Sequence, residues 1–263
     1  MALHKSAAIL LKAFNWSESS RTVVFFTRRV GKLALVDRGG RSIKSRRGRL
    51  HPFSPLELTY YSSEKESRGY LSSIDLIEQR RFEGDGSLGR LAFGSAGCEL
   101  LYLLLPEEEA QVRLYDYFNA YLKYIDLADR RSLPSLFLAF FLQTLSILGY
   151  HPSLDHCVVC NRKAAGQRDE TATVTFVPAR GGVVCGACQA AADYYIHLSA
   201  GALGRLAALQ KSGLSQAAQL PIGYQETSLM LEALTRFVRY QADLKGDLKS
   251  LEFLQKLKNT NLS

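Results

Sequence analysis

Apolar positions in the first 80 residues recur in short runs bounded by turn residues, the signature of β-strands, whereas from Ser87 onward they fall at helical spacing. Residues 7–14 are apolar and meet a polar turn at 15–20. Residues 22–27 (TVVFFT) are β-branched and aromatic, 33–36 follow Gly31-Lys32, 56–61 (LELTYY) alternate, and 70–77 give a fifth candidate strand. Five short strands with one long insertion after the third predict a small closed barrel of the OB type, although a three-stranded sheet packed on helices has a similar pattern. Within such strands the pairs Phe25-Phe26 and Tyr60-Tyr61 are expected to point one ring inward and one outward.

The second region is helical. Residues 87–105 are leucine-rich and interrupted by glycines. Pro106-Glu107-Glu108-Glu109 predicts a helix start, because proline has no N–H to leave unpaired and carboxylates favour the positive end of the helix dipole. That helix is expected to run to about Ala128. Pro134 opens another, which is apolar nearly all round, stops at Gly149 and belongs at the centre of a bundle. Its apolar stretch, 136–148, is too short to span a bilayer, so no membrane role is expected. Helices resume near Ser199, an N-cap candidate, and again from Glu226 to Lys245; Gly246 ends that one and Asp247 caps a last helix to about Asn259. The expected fold is α+β: an OB-fold domain over 1–80, then a mostly helical domain over 81–263 that holds an inserted module at 151–194.

That module carries the sharpest chemistry. Cys157-Val-Val-Cys160 and Cys185-Gly-Ala-Cys188 are two identical steps with 24 residues between them, the spacing of a tetrahedral four-thiolate Zn2+ site. Such a site has no open position for a reacting water, so it is structural. Residues 171–177 alternate β-formers, Pro178 ends the run, and Gly181-Gly182 turns the chain back, so a hairpin delivers the second pair to the first. Two disulfides or a redox pair are the alternatives. No positively charged start followed by an apolar run marks secretion, and five cysteines in 263 residues do not make a disulfide-dense scaffold. His151 and His156 lie close by but the cysteines already fill a shell of four. Cys98 reads as a small buried hydrophobe.

Charge adds a second signal. Residues 1–80 hold 15 Lys/Arg against 7 Asp/Glu, which accounts for the whole net charge of +8, since 81–263 hold 18 of each. Residues 28–49 carry Arg28, Arg29, Lys32, Arg38, Arg41, Lys44, Arg46, Arg47 and Arg49 against Asp37 alone. So many like charges repel unless a polyanion is near, and nucleic acid is the expected partner. A membrane-binding helix needs an apolar face opposite its charges, and 38–49 offer only Ile43 among three glycines. Phe14, Trp16, Phe25, Phe26, Phe53, Tyr60, Tyr61 and Tyr70 are candidate base platforms, most of them expected in the core. No phosphate loop, nucleophile elbow or metalloprotease helix is present, so a binding protein is expected rather than an enzyme.

The runs VVFFTRRVGKLALVDRGGRSIKSRRGRLHPFSPLEL, FLQTLSILGYHPSLDHCVVC and FVPARGGVVCGAC, in this order, resemble the bacterial DNA-repair family RecO over nearly the whole chain. The resemblance weakens from about residue 215. It implies a cytoplasmic, nucleoid-associated recombination mediator that is not an enzyme. Such proteins bind single- and double-stranded DNA, anneal complementary strands and, with RecR, help load RecA onto DNA coated by single-strand-binding protein (SSB). The nine cations of 28–49 would then track the DNA backbone. The acidic, aromatic SSB C-terminal tail would dock in the helical domain, with Arg130, Arg131 and Arg236 as candidate edges. A nucleic-acid-modifying enzyme and an RNA-associated zinc protein remain the competing readings.

Overall fold

In the computed structural model, residues 2–42, 49–62, 69–163, 170–188, 194–244 and 248–250 are described. They divide into two units, Met1–Leu127 and Ala128–Ser263.

The first unit is built on a closed five-stranded barrel of the OB type: β1 (Ala2–Asn15), β2 (Arg21–Thr27), β3 (Gly31–Asp37), β4 (Pro55–Ser62) and β5 (Gly69–Leu76), in the order β1-β2-β3-β5-β4. Strand β1 is the hinge of the closure. Its first half pairs with β4 (Ala2↔Ser62 to Ile9↔Pro55) and its second half with β2 (Ala8↔Thr27 to Asn15↔Arg21), with a register shift between Leu10 and Lys12. An extra residue there bends the strand, which lets one strand serve two neighbours. The barrel is sealed by a short parallel contact of β3 with β5, Leu35↔Gly69 and Val36↔Tyr70. A side chain at Gly69 would stand 2.5 Å from the Tyr61 carbonyl and 3.0 Å from Leu35 Cδ2, so the seam closes only around a glycine.

The interior is filled by alternate residues of all five strands, among them Ala8, Val23, Phe25, Leu35, Leu56, Leu58, Tyr60 and Leu71. The expected alternation holds at Tyr60-Tyr61, of which Tyr60 is buried and Tyr61 exposed. It holds in direction at Phe25-Phe26 too, with Phe25 in the barrel interior and Phe26 pointing away from it, yet both rings are buried. The outer face of β2 is covered by α2 (Val112–Leu127), and Phe26 meets Tyr115 edge-on at 5.5 Å and Phe118 at 6.5 Å. Helix α1 (Ser87–Leu104) is continuous through its glycines and buries a small-residue face that includes Gly89, Ala92, Gly94, Ala96, Gly97 and Cys98. Tyr121 of α2 donates its hydroxyl to the Phe93 carbonyl of α1 at 2.8 Å. Cys98 is a buried free thiol, pushed by burial up to about 12, with Sγ 3.6 Å from the Leu10 carbonyl.

The helix start expected at Pro106 is displaced to Val112. The Glu108 N–H donates to the Lys32 carbonyl at 3.0 Å, Glu107 bridges Lys32 in parallel, and Glu108 takes a φ of 56°. Backbone groups that would have begun a helix are spent on the edge of β3 instead.

In the second unit, α3 (Leu133–Ile147) carries Pro134 in its first turn and buries twelve of its fifteen residues, as an all-round apolar helix must. It packs against α4 (Ala200–Lys211), α5 (Leu214–Ala217) and α6 (Tyr224–Gln241). Ser199 caps α4 by accepting the Ala202 N–H at 3.1 Å. A three-stranded sheet stands beside them in the order β7 (Gly182–Val184), β6 (Thr173–Val177), β8 (Ile196–Ser199). The expected capping by Gly246 and Asp247 and the last helix fall largely outside the described residues. Among the described residues no helix is long and apolar enough to cross a membrane.

Replacing Gly69 with alanine is expected to lower unfolding free energy by about 1–3 kcal/mol, read as a shift of the urea midpoint at unchanged slope.

Candidate metal centre and cationic surface

The β6–β7 hairpin turns through a 3-10 turn at Pro178–Arg180 and Gly181, and the Ser153 N–H bonds the Gly181 carbonyl at 3.0 Å while the Val183 N–H returns to Ser153 at 2.9 Å. A Cβ on Gly182 would lie 2.4 Å from the Ser153 carbonyl, so the second glycine admits this crossing. The clasp brings the segment carrying Cys157 and Cys160 against β7, where the Val158 N–H donates to the Val183 carbonyl at 3.0 Å. Cys185 follows β7 directly, and a 3-10 turn at Gly186–Cys188 presents Cys188.

The four sulfurs lie within 4.8 Å of one another, and Cys160 Sγ and Cys185 Sγ are 3.6 Å apart. A tetrahedron of thiolates about 2.3 Å from one ion has edges of about 3.8 Å, so the group fits a metal. A disulfide needs about 2.05 Å, and all five cysteines are free thiols. Burial by itself would raise the Cys157 thiol, but backbone N–H groups of Cys185, Cys160 and Val159 aimed at its sulfur bring it down to about 6. Hydrogen bonds to the sulfurs of Cys160 and Cys185 push Cys188 the other way, to about 12. Four thiols so close cannot all ionise alone, and a dication removes that conflict. His151 and His156 are exposed and outside the sulfur group.

The nine cations, contiguous in sequence, separate in space. Arg28 and Arg29 sit in the β2–β3 turn and Lys32 begins β3, whereas Arg38 and Arg41 follow its far end, about 20 Å along the hairpin by strand rise. Arg28 forms a two-pronged pair with Asp116 of α2, at 2.8 and 3.0 Å, which raises the guanidinium pKa and lowers the carboxyl. Arg29 is exposed. Lys32 is half-buried and donates Nζ to the Tyr102 carbonyl at 3.2 Å, with burial lowering its pKa. Arg38 lies over the Tyr70 ring at 4.2 Å and bonds its hydroxyl at 2.8 Å. Arg41 is exposed and its guanidinium donates to the Ser17 carbonyl; Arg49 is exposed at the far end of the loop. Lys44, Arg46 and Arg47 lie outside the described residues.

Two residues to which the sequence assigned no role fix the ends of this loop. Asp37, the single acid of the stretch, is buried and accepts from Arg21 Nε at 2.8 Å across the β2–β3 register. At the other end, the buried Arg80 donates to the Phe53 carbonyl at 2.8 Å and to Asn119 Oδ1 of α2 at 2.6 Å, and its own N–H bonds Ser54 Oγ at 3.0 Å. One acid among nine bases was the only sequence signal for Asp37. Arg80 had none. Arg130 and Arg131 lie in the 3-10 turn before α3, and Arg236 of α6 stacks over Tyr194 at 5.0 Å.

Fold and site together define a two-unit α+β protein in which an OB-type barrel edged by arginines precedes a helical unit with a four-cysteine metal centre. Two family models cover the chain: Recombination protein O N terminal matches residues 1–80 and Recombination protein O C terminal matches residues 86–252. Similar full-length proteins are the DNA repair protein RecO of Symbiobacterium thermophilum (31% identical, 98% of this chain and 99% of the relative), that of Anaeromyxobacter dehalogenans strain 2CP-C (31%, 90% of each) and that of Desulfatibacillum aliphaticivorans (30%, 96% of each). The chain belongs to the RecO family of DNA repair and recombination proteins.

Elemental analysis of the purified chain is expected to give one bound metal per molecule. Cys185→Ser is expected to release it, lower the melting temperature and raise the reactivity of the three remaining thiols.

Proposed function

We propose that this chain is a recombination mediator that binds single- and double-stranded DNA through the cationic loop of its barrel and anneals complementary strands. With RecR it would help load RecA onto DNA coated by SSB. What carries the reading is the state of the cations. Arg29, Arg41 and Arg49 are exposed and project from the barrel without forming its core. Membership of the family supports the same reading.

Annealing asks little of a protein beyond charge. A cationic surface lowers the repulsion between two strands and raises their local concentration, and base pairing supplies the specificity. Binding is therefore independent of sequence and weakens with salt. The guanidinium fork suits phosphate, and arginine dominates this loop over lysine. Arg28 takes part only by exchanging Asp116 for a phosphate, an exchange made easy by the exposure of the pair. Arg38, Arg41 and Arg49 form one group of the backbone track and Arg28, Arg29 and Lys32 the other; Lys44, Arg46 and Arg47 are proposed as further DNA contacts from their place in the sequence alone.

In this reading DNA is held by the domain over 1–80, while the domain over 81–263, with its module at 151–194, supports protein contacts. The ion at Cys157, Cys160, Cys185 and Cys188 is Zn2+, which the all-sulfur tetrahedral set favours. It pins the β6–β7 hairpin to the segment before it and takes no part in chemistry. The acidic SSB tail docks on the helical domain beside basic side chains such as Arg130, Arg131 or Arg236. The setting is the cytoplasm at the nucleoid, where thiols stay reduced.

The charge-reversed triple variant Arg41→Glu, Arg46→Glu, Arg47→Glu is expected to abolish annealing while the melting curve stays unchanged. If about five arginines contact phosphate in the unaltered protein, log affinity for a single strand falls against log salt with a slope of about −3.5. Normal annealing by the variant, or tighter binding to RNA than to DNA, counts against the assignment.

A further inference from the structure

We propose that Trp16 is a stacking platform for an unpaired nucleobase, set beside the start of the cationic loop so that one nucleotide meets an aromatic face while its neighbours' phosphates meet arginine. The inference rests on the DNA-binding reading above and gives it a specific base-contact residue.

The barrel's aromatic candidates differ in what covers their faces. Phe25, Phe26 and Tyr60 are buried. Phe53 is stacked on Phe82 at 4.6 Å. The Phe14 ring has Lys12 Nζ at 5.0 Å and Tyr102 beside it at 6.1 Å, and Tyr70 is covered by Arg38. Trp16 is the most exposed of them at 57%, against 40% for Tyr61 and 39% for Phe14, and of these three only Phe14 has a cation and a second ring beside it among the described residues. An indole in water forgoes more apolar burial than any other side chain, and this chain has a single tryptophan, placed at the tip of the β1–β2 hairpin.

The neighbourhood of that tip decides between them. The β1–β2 turn is closed by the Ser17 N–H to the Ser20 carbonyl at 3.3 Å and by the Ser20 N–H to Ser17 Oγ at 2.9 Å. The first residues of the cationic loop are bonded onto it. The Arg41 N–H donates to the Ser19 carbonyl at 3.2 Å, the Arg41 guanidinium to the Ser17 carbonyl, and the Gly39 N–H to Ser20 Oγ at 3.4 Å. Arg21, held by Asp37, reaches the Gly40 carbonyl at 3.4 Å from below. Trp16 is thus fixed one residue from the backbone that holds Arg41, on a turn with little freedom to collapse over the ring. OB barrels use the loop between their first two strands in this way, and base stacking on an aromatic side chain is indifferent to sequence because every base has a π-face. A single platform also leaves the neighbouring bases free to find a complement.

Because Trp16 is the sole tryptophan, intrinsic fluorescence reports on it alone. Full-length protein is titrated with an oligothymidylate of about 20 nucleotides, the scale of an OB site, and with an abasic strand of equal length; anisotropy of a dye on each strand reports binding separately. The expected result is quenching by oligothymidylate and none by the abasic strand, although both bind. Trp16→Ala is expected to weaken oligothymidylate binding about 5- to 100-fold, to leave abasic and duplex affinity and the salt slope unchanged, and to be rescued largely by Trp16→Phe. Binding of oligothymidylate without quenching, or equal quenching by the abasic strand, overturns the platform and leaves the cationic-loop reading standing. Failure of either strand to bind overturns the reading beneath it, and the platform with it.

Discussion

Barrel closure is the constraint from which the amino-terminal unit follows. Five strands of seven to fourteen residues close only when β1 pairs with β4 over its first half and with β2 over its second, and the irregularity between Leu10 and Lys12 supplies the bend. Closure then requires β3 and β5 to meet in parallel, where Gly69 lets the Tyr61 backbone and Leu35 come together. The chain must therefore leave β3 and enter β4, two places along the barrel and at the same end, and this obligatory connection across that end is where Arg38, Arg41 and Arg49 are placed. A segment that need not be buried is the cheapest place for charge that cannot be.

Both ends of that connection are anchored by groups removed from water. Asp37 is 1% exposed and Arg80 is 7% exposed; Asp37 Oδ2 accepts from Arg21 Nε, and the Arg80 guanidinium donates to the Phe53 carbonyl and to Asn119 Oδ1 of α2. Buried charges of this kind contribute registry more than net stability, since desolvation offsets much of the attraction. Here the registry fixes where the cations of the loop begin and end relative to the β1–β2 turn and to α2.

The cysteine cluster solves a different problem by similar means. The segment bearing Cys157 and Cys160 has no helix or long strand of its own, and the hairpin that meets it is three residues wide on one side. Val177, Val184 and Cys157 form a core too small to hold such a module by apolar burial alone. One ion held by the four sulfurs would supply the missing constraint, in the way of small metal-pinned domains.

Much of this was legible beforehand. Short β-branched runs at 22–27, 33–36 and 56–61 became strands because local pattern and barrel interior agree there, and the cysteine spacing picked out the four sulfurs that come together because two paired steps brought face to face leave few arrangements. The burial of Phe26 was not legible: alternation says only that it points away from the barrel axis, and Tyr115 and Phe118 of α2, far downstream in the chain, cover it. Nor was the loss of a helical turn at Pro106, where local capping chemistry lost to backbone pairing with Lys32. A run of cations reads as one patch in a string of letters, yet a strand of seven residues between them sends Arg28 and Arg38 to opposite ends of a hairpin. The sequence by itself determined which elements form and which atoms can bind a metal, because those depend on neighbours a few residues apart. Which charges find partners, which rings stay open and which faces are covered were decided by tertiary structure, because those depend on contacts that no local period encodes.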